Sequence, residues 1–221
     1  MVILSIDTCG PSGAIALARL SGGVLEEIHL LGETGLPGKI YSAQLMPAVR
    51  ELLAAHSVAI SGLAAIVVTS GPGSFTGIRV GLSTAKGLAE ANRTQLLAVS
   101  RLAVLAHKAG ARAAALDAGR HEFYLGDYST AAVTESLLAR EAFLERAAVL
   151  GADLAVCEGA VHALAPSATL SPPPAALDAI LYALPRLRTC AFDDAVTLDG
   201  HYLRRSDAEI FSKPEGAASR P

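Results

Sequence analysis

The residue types that cradle phosphate are concentrated in one run, Thr69-Ser-Gly-Pro-Gly-Ser-Phe-Thr-Gly-Ile-Arg-Val-Gly-Leu-Ser-Thr84. Glycines let a backbone approach a ligand closely, and a helix N-terminus offers unpaired N–H groups to an anion. Each specific version of that chemistry has its own spacing. A Walker A loop needs Gly-Lys five residues after its first glycine, but Thr76 stands five after Gly71 and Ile78 five after Gly73, so that reading fails. A Rossmann fingerprint fails at its last glycine, where Thr76 stands, and the strand that follows ends at Ser100 without an acid to hold a ribose. A nucleophile elbow fails because Pro72, not glycine, precedes Ser74 by two. A generic anion site at the helix start stays open, with Ser74 as a credible N-cap.

The other groups with chemical capacity are scattered. Asp7 and Asp117 each end a predicted strand and are followed by small residues, Asp7-Thr-Cys-Gly and Asp117-Ala-Gly. Such acids either flank a metal–nucleotide or cap their own turns. The three cysteines, Cys9, Cys157 and Cys190, are odd in number and far apart, which fits reduced thiols better than disulfides or zinc. The six histidines show no HxxxH or HExxH spacing, so a locally built metal site is not expected. No Ser/His/Asp, Cys/His or zinc spacing supports a peptidase.

Composition sets the frame. The 221 residues are 52% hydrophobic and 18% charged, with mean hydropathy +0.42; this describes a chain able to bury a sizeable core. No apolar run is long enough to span a membrane. Residues 1–7 read as a strand rather than a signal peptide, because no basic stretch precedes the apolar run and Asp7 follows at once. A cytoplasmic location is expected. The net charge of −3 argues against a protein that holds a nucleic acid alone. The tight basic pairs Arg186/Arg188 and Arg204/Arg205 are read as solvated surface or partner contacts, and Asp193-Asp194 as a surface loop.

These groups must be held by elements that periodicity predicts. Strands are expected at 2–7, 14–20 and 24–31, with Ser21-Gly-Gly23 a tight hairpin turn. A helix over 40–56 carries Tyr41, Leu45, Val49 and Leu52 on one face. Then come a strand at 64–69, a helix at 74–91, a strand at 95–99 and a helix to about 109. The order repeats: strands at 113–117, 121–128 and 131–138, a helix at 141–150, a strand at 153–157 and a helix at 160–165. Pro172-Pro-Pro174 starts a last helix to about Leu187. The fold class is therefore α/β: a two-lobe, actin-like (RNase H-like) architecture of duplicated β-β-β-α-β-α halves, with mixed sheets flanked by helices. The expected divisions are 1–110, 111–205 and a loose tail at 206–221.

Gly73, Gly77, Gly81, Ala85 and Ala89 recur every four positions down the second helix. Interior helical glycines cost about 1 kcal/mol each relative to alanine, so Gly77, Gly81 and Gly87 together cost roughly 2–3 kcal/mol. Close approach of another backbone would offset that. The approaching backbone belongs either to the chain's own sheet or to a partner helix, and the partner reading is the one taken forward.

The stretch Gly71-Pro-Gly-Ser-Phe-Thr-Gly-Ile-Arg-Val-Gly81, followed by Ala85-Lys-Gly-Leu-Ala89, resembles the signature of the TsaB (YeaZ) family of the actin-like ATPase and glycoprotease-like superfamily. Ile6-Asp7-Thr8, Tyr41-Ser42 with Leu45 and Pro47, Asp117-Ala-Gly-Arg-His-Glu-Phe-Tyr124 and Tyr202-Leu-Arg204 match in the same order. The chain departs from the family at Tyr41, usually His, at Gly119 and His121, usually Arg and Gly, and near Gly200, where proline is usual.

The resemblance implies an accessory subunit with no chemistry of its own. It would form homodimers in isolation and a heterodimer with the catalytic paralogue TsaD, through helices 40–56 and 74–91. The ATPase TsaE would join them, and the assembly would place threonylcarbamoyl on the adenosine beside the tRNA anticodon. The implied interface takes Tyr41, Leu45, Val49 and Leu52 from the first helix, and Gly73, Phe75, Thr76, Gly77, Arg79, Val80, Gly81 and Thr84 from the second. On this reading, leucine at Gly77 or Gly81 disrupts the complex more than the fold. Asp7, Thr8 and Asp117 would mark a vestigial nucleotide cleft, degraded by Arg120 and His121 in the second turn and by Glu158-Gly159 in place of a Gly-Gly pair. No intrinsic cofactor or metal is expected, with ATP or ADP and Mg expected only at the assembled complex, and tRNA reached only through it. The alternative is a small ATP-binding phosphotransferase of the actin-like superfamily using Asp7 and Asp117.

Overall fold

In this computed structural model, residues 1–21, 27–38, 40–130 and 132–204 are described. The hairpin turn expected at 21–23, Arg205 and the tail expected at 206–221 lie wholly or partly outside them. Among the described residues, ten strands and six α-helices form two sheets of identical design. The first has the order β3-β2-β1-β4-β5 and the second β10-β9-β6-β7-β8. Reading the second in reverse maps each strand onto the one five earlier. In both sheets the first three strands run antiparallel and the rest pair in parallel. The helices interleave in the same way, so the duplication expected from the weak sequence echo is present in the topology.

The first sheet holds β1 (Val2–Asp7), β2 (Gly13–Leu20), β3 (Ile28–Leu36), β4 (Ala65–Gly71) and β5 (Gln95–Ser100). β1 and β4 are central and covered on both faces, which explains their unbroken apolar runs. Leu4, Ile6, Ile66 and Val68 face α1 (Tyr41–Ala55) and α2 (Phe75–Asn92). Ile3, Ala65, Val67 and Leu97 face the last helix, α6 (Ala176–Arg188).

The second sheet holds β6 (Ala113–Gly119), β7 (Glu122–Asp127), β8 (Thr134–Ala139), β9 (Leu154–Val156) and the two-residue β10 (Thr169–Leu170). One face packs on α4 (Arg140–Leu150) and α5 (Gly159–Leu164), where Phe123 stacks on Phe143 at 4.3 Å. The other packs on α3 (Arg101–Ala109) through Leu102, Leu105 and Ala106. Val104 of α3 joins the core under the first sheet, so α3 is shared between the sheets.

Two expectations need correction. Pro172-Pro-Pro174 does not start α6, which begins at Ala176; each proline keeps the residue before it out of helical conformation. The first turn is held instead by Asp178, whose carboxylate accepts from the Ala175 amide at 2.7 Å. Nor is Asp193 a free surface acid. It forms a bridge to Leu96 on the edge of β5, accepts from the Ala98 amide at 2.7 Å and pairs with Arg186 at 2.9 Å. Arg186 also donates to the Ala98 carbonyl, and Arg204 pairs with Glu122. These two arginines are therefore tied within the chain.

Candidate functional site

The carboxyl ends of β1, β4, β5, β6 and β9 converge on a cleft of about 1100 Å³, the place where open parallel sheets gather ligands. The two turns that flank it are built alike. Asp7 Oδ1 accepts from the Cys9 amide at 2.9 Å, and Asp117 Oδ1 accepts from the Gly119 amide at 2.7 Å. The acids thus organise their own turns. Asp7 is 6% exposed, whereas Asp117 is open to solvent. Beyond Asp117, Arg120 and His121 both adopt left-handed backbone, with φ of 57° and 60°, a tight-turn conformation more at home with Asn-Gly.

Thr8 is not among the residues that line the cleft. Its hydroxyl is buried and donates to the Gly77 carbonyl at 2.6 Å. Cys9 donates its thiol hydrogen to the Thr69 carbonyl at 3.2 Å, and burial, with Asp7 nearby, pushes the thiol pKa well up. A neutral thiol that is already donating is a packing group, not a nucleophile. Tyr41 reaches over from α1 and donates to the Gly10 carbonyl at 2.8 Å. Ser74 caps α2 as expected, accepting from the Gly77 amide at 3.2 Å.

The small-residue stripe on α2 faces inward. A Cβ on Gly77 would overlap the Thr8 carbonyl oxygen, one on Gly81 the Thr8 hydroxyl, and one on Gly73 the Cys9 carbonyl oxygen. The backbone that approaches is therefore the chain's own first turn. This overturns Gly77 and Gly81, both buried, as partner contacts, and leucine at either would test the fold rather than a complex; Gly73 is half-buried and lines the cleft. Tyr41, Leu45, Val49 and Leu52 are likewise removed from the interface, being 6%, 1%, 0% and 6% exposed within the core beneath the first sheet. Their helical face was read correctly; it is the face turned toward the sheet.

The remaining interface residues divide. Phe75 is covered by Tyr202 at 4.9 Å and by the Arg79 guanidinium at 4.0 Å. Thr76 and Arg79 are exposed, and Val80 and Thr84 half-buried. With Ser83 and Gly87, the residues Thr76, Val80 and Thr84 form the outer ridge of α2.

Sequence reasoning missed the polar groups that the tertiary structure brings to the cleft. Arg101, the first residue of α3, is 7% exposed and lines it. Glu158 lines the same cleft; burial pushes its carboxyl above the usual range, with Arg101 opposing. Burial also drives the neighbouring Cys157 thiol up to about 12. Both Arg101 and Glu158 follow the end of a parallel strand, a position that could have singled them out. His201 was also missed. It contacts Glu135 at 2.7 Å, and among the described residues no hydroxyl or thiol hydrogen-bonds to that imidazole, so the pair presents no nucleophile. Nor do the described residues contain a group of three or more His, Cys, Asp or Glu that could hold a metal ion, or a helix long and apolar enough to cross a membrane.

A family model described as TsaD, tRNA N6-adenosine threonylcarbamoyltransferase, matches residues 37–183. A crystal structure from Pseudomonas aeruginosa, of an uncharacterized protein with similarity to peptidase YeaZ, superposes with TM-score 0.71 and 30% identity over 92% of this chain and 99% of that one. The chain belongs to the TsaB (YeaZ) branch of this family. A second P. aeruginosa structure, named YeaZ, gives TM-score 0.67 at 26% identity over 91% of this chain and 99% of the other. The tRNA threonylcarbamoyladenosine biosynthesis protein TsaB of Bacillus subtilis is 39% identical over 132 residues, which are 58% of this chain and 55% of that protein. Its Escherichia coli counterpart is 31% identical over 134 residues, again 58% and 55%. The match thus spans about half the length of these curated relatives.

Proposed function

We propose that this chain is a non-catalytic scaffold and activator subunit in the formation of threonylcarbamoyl-adenosine next to the anticodon of tRNA, and that it docks a TsaD-type catalytic subunit through the outer ridge of α1 and α2. The observation that carries the reading is Gly87. It sits inside α2, where glycine costs about 1 kcal/mol, and a Cβ built on it would meet nothing within 4 Å. Nothing among the described residues requires that glycine; a partner helix packed closely on the ridge would. Thr76, Val80, Ser83 and Thr84 lie on the same outer ridge as Gly87, and Met46, 36% exposed, stands on the outer face of the neighbouring helix. The same ridge would serve a homodimer when the partner is absent. TsaE and tRNA would be met only through the assembly, in the cytoplasm, with ATP or ADP and Mg at the assembled complex.

Gly87→Leu is the direct test, because the open space around the position spares the fold. Mixed with a TsaD-type subunit on a sizing column with light scattering, the variant is expected to lose co-elution, its affinity falling by at least about tenfold, or 1.4 kcal/mol. Its melting temperature should stay at or above that of the parent. Normal co-elution would move the docking face elsewhere.

A further inference from the structure

Three buried side-chain atoms among the described residues have no hydrogen-bond partner: Ser5 Oγ, Arg101 Nε and Glu158 Oε2. Ser5 lies inside the first sheet. Arg101 and Glu158 line one cleft, from the start of α3 and the start of α5. A buried polar atom left unpaired is costly, and more so when charged. Arginine cannot relieve that cost by losing its proton. At 7% exposed, Arg101 nevertheless makes no hydrogen bond or ion pair with any described residue. Its guanidinium rests against Gly10, where an added Cβ would lie 2.8 Å from Nη2. Arg101 and Glu158 interact electrostatically but form no salt bridge, so their charged atoms stand more than 4.0 Å apart in the cleft that both line.

The surroundings favour negative charge beside Arg101. Arg101 opens α3, whose N-cap is Ser100, and α2 opens onto the same cleft through Ser74, Phe75 and Thr76. Unpaired N–H groups and helix dipoles at two such ends attract an anion. The acids Asp117 and Glu158 line the same space, which disfavours a long chain of phosphates. A ligand with one oxyanion and a neighbouring hydrogen-bonding group matches both residues.

We propose that the cleft binds a small oxyanion, a carboxylate or a single phosphate, on the Arg101 guanidinium, with Glu158 engaging a hydroxyl or amine of the same molecule. The site is independent of the outer ridge of α1 and α2, and it stands or falls in the isolated chain.

The test follows the Arg101 Nε–H resonance of the full chain in nitrogen-edited nuclear magnetic resonance. The protein is titrated with acetate, glycolate, inorganic phosphate and ATP, with chloride holding ionic strength constant. Acetate or phosphate is expected to move the resonance saturably, and glycolate to bind several-fold more tightly than acetate. Glu158→Gln should shrink the glycolate preference, and Arg101→Met should abolish the accompanying shifts of the Gly10 and Gly119 amides. Should Arg101→Met fail to fold, Arg101→Lys keeps the charge without the planar fork and is expected to bind about tenfold more weakly. A resonance that moves no more with acetate and phosphate than with chloride overturns the proposal. So does one that moves only with ATP, since recognition would then lie in the nucleoside.

Discussion

Gly77 and Gly87 share α2 but hold their places for different reasons, and alanine separates them. At Gly77 a methyl group would run into the Thr8 carbonyl, and backbone overpacking costs about 1–3 kcal/mol, more than the ~1 kcal/mol gained in helix propensity. At Gly87 only the propensity gain remains. In urea unfolding, Gly77→Ala should lower stability and Gly87→Ala raise it by up to about 1 kcal/mol. The two turn acids offer a second contrast. Their hydrogen bonds are alike, but Asp7 is buried and Asp117 exposed. Asp7→Ala orphans a buried amide and should cost about 1–3 kcal/mol, while water can replace the lost bond at Asp117, so Asp117→Ala should cost less than about 1 kcal/mol. The same denaturation experiment measures both.

Among the elements, the segment after α6 acts as a strap. Asp193 clips it to the edge of β5, the His201 amide donates to the Ser70 carbonyl at 2.8 Å, and Tyr202 lies on Phe75 at the start of α2. Asp193→Ala removes both the acceptor for Ala98 and the partner of Arg186. It should destabilise the chain by about 1–3 kcal/mol and speed proteolysis after α6, which mass spectrometry of limited digests would show. None of this was legible in the sequence, where Asp193-Asp194 has the composition of a surface loop; its role depends on a contact with a strand nearly a hundred residues earlier. Helices and strands with strong periodicity were legible, and so was the face of α1 that carries Tyr41, Leu45, Val49 and Leu52. What periodicity does not give is what lies opposite that face. A core stripe and a docking stripe look the same until the sheet is present, which is why the glycines of α2 were assigned outward. Arg101 could be singled out only by its place just after a strand: its neighbours Gly10 and Glu158 follow β1 and β9, and only the assembled sheets bring the three together.

At the scale of the whole molecule, Glu135 ties the two lobes. It sits on β8 of the second sheet, accepts from Tyr128 at 2.6 Å and meets His201, which is anchored on the first. Burial alone would raise its carboxyl pKa, but the bonds from His201, Ser100 and Tyr128 outweigh this and hold it below the ordinary 4.5. A depressed folded-state value stabilises the native chain above the unfolded-state pKa, and that stability is lost as pH falls through the folded-state value. The melting temperature of Glu135→Gln should therefore trail that of the parent at neutral pH, with the gap closing as the solution is acidified below about pH 4. A gap that stayed constant on acidification would count against this linkage. The return of α6 to the first sheet has one more consequence. During synthesis, the amino-terminal half emerges from the ribosome with one side of its sheet covered only in part, by Val104 of α3, because the helix that covers Ile3, Val67 and Leu97 is made only after the whole second sheet. The nascent first half must wait for residue 188 before that greasy face is shielded, so a stop codon anywhere before α6 should release a sticky fragment rather than a folded lobe.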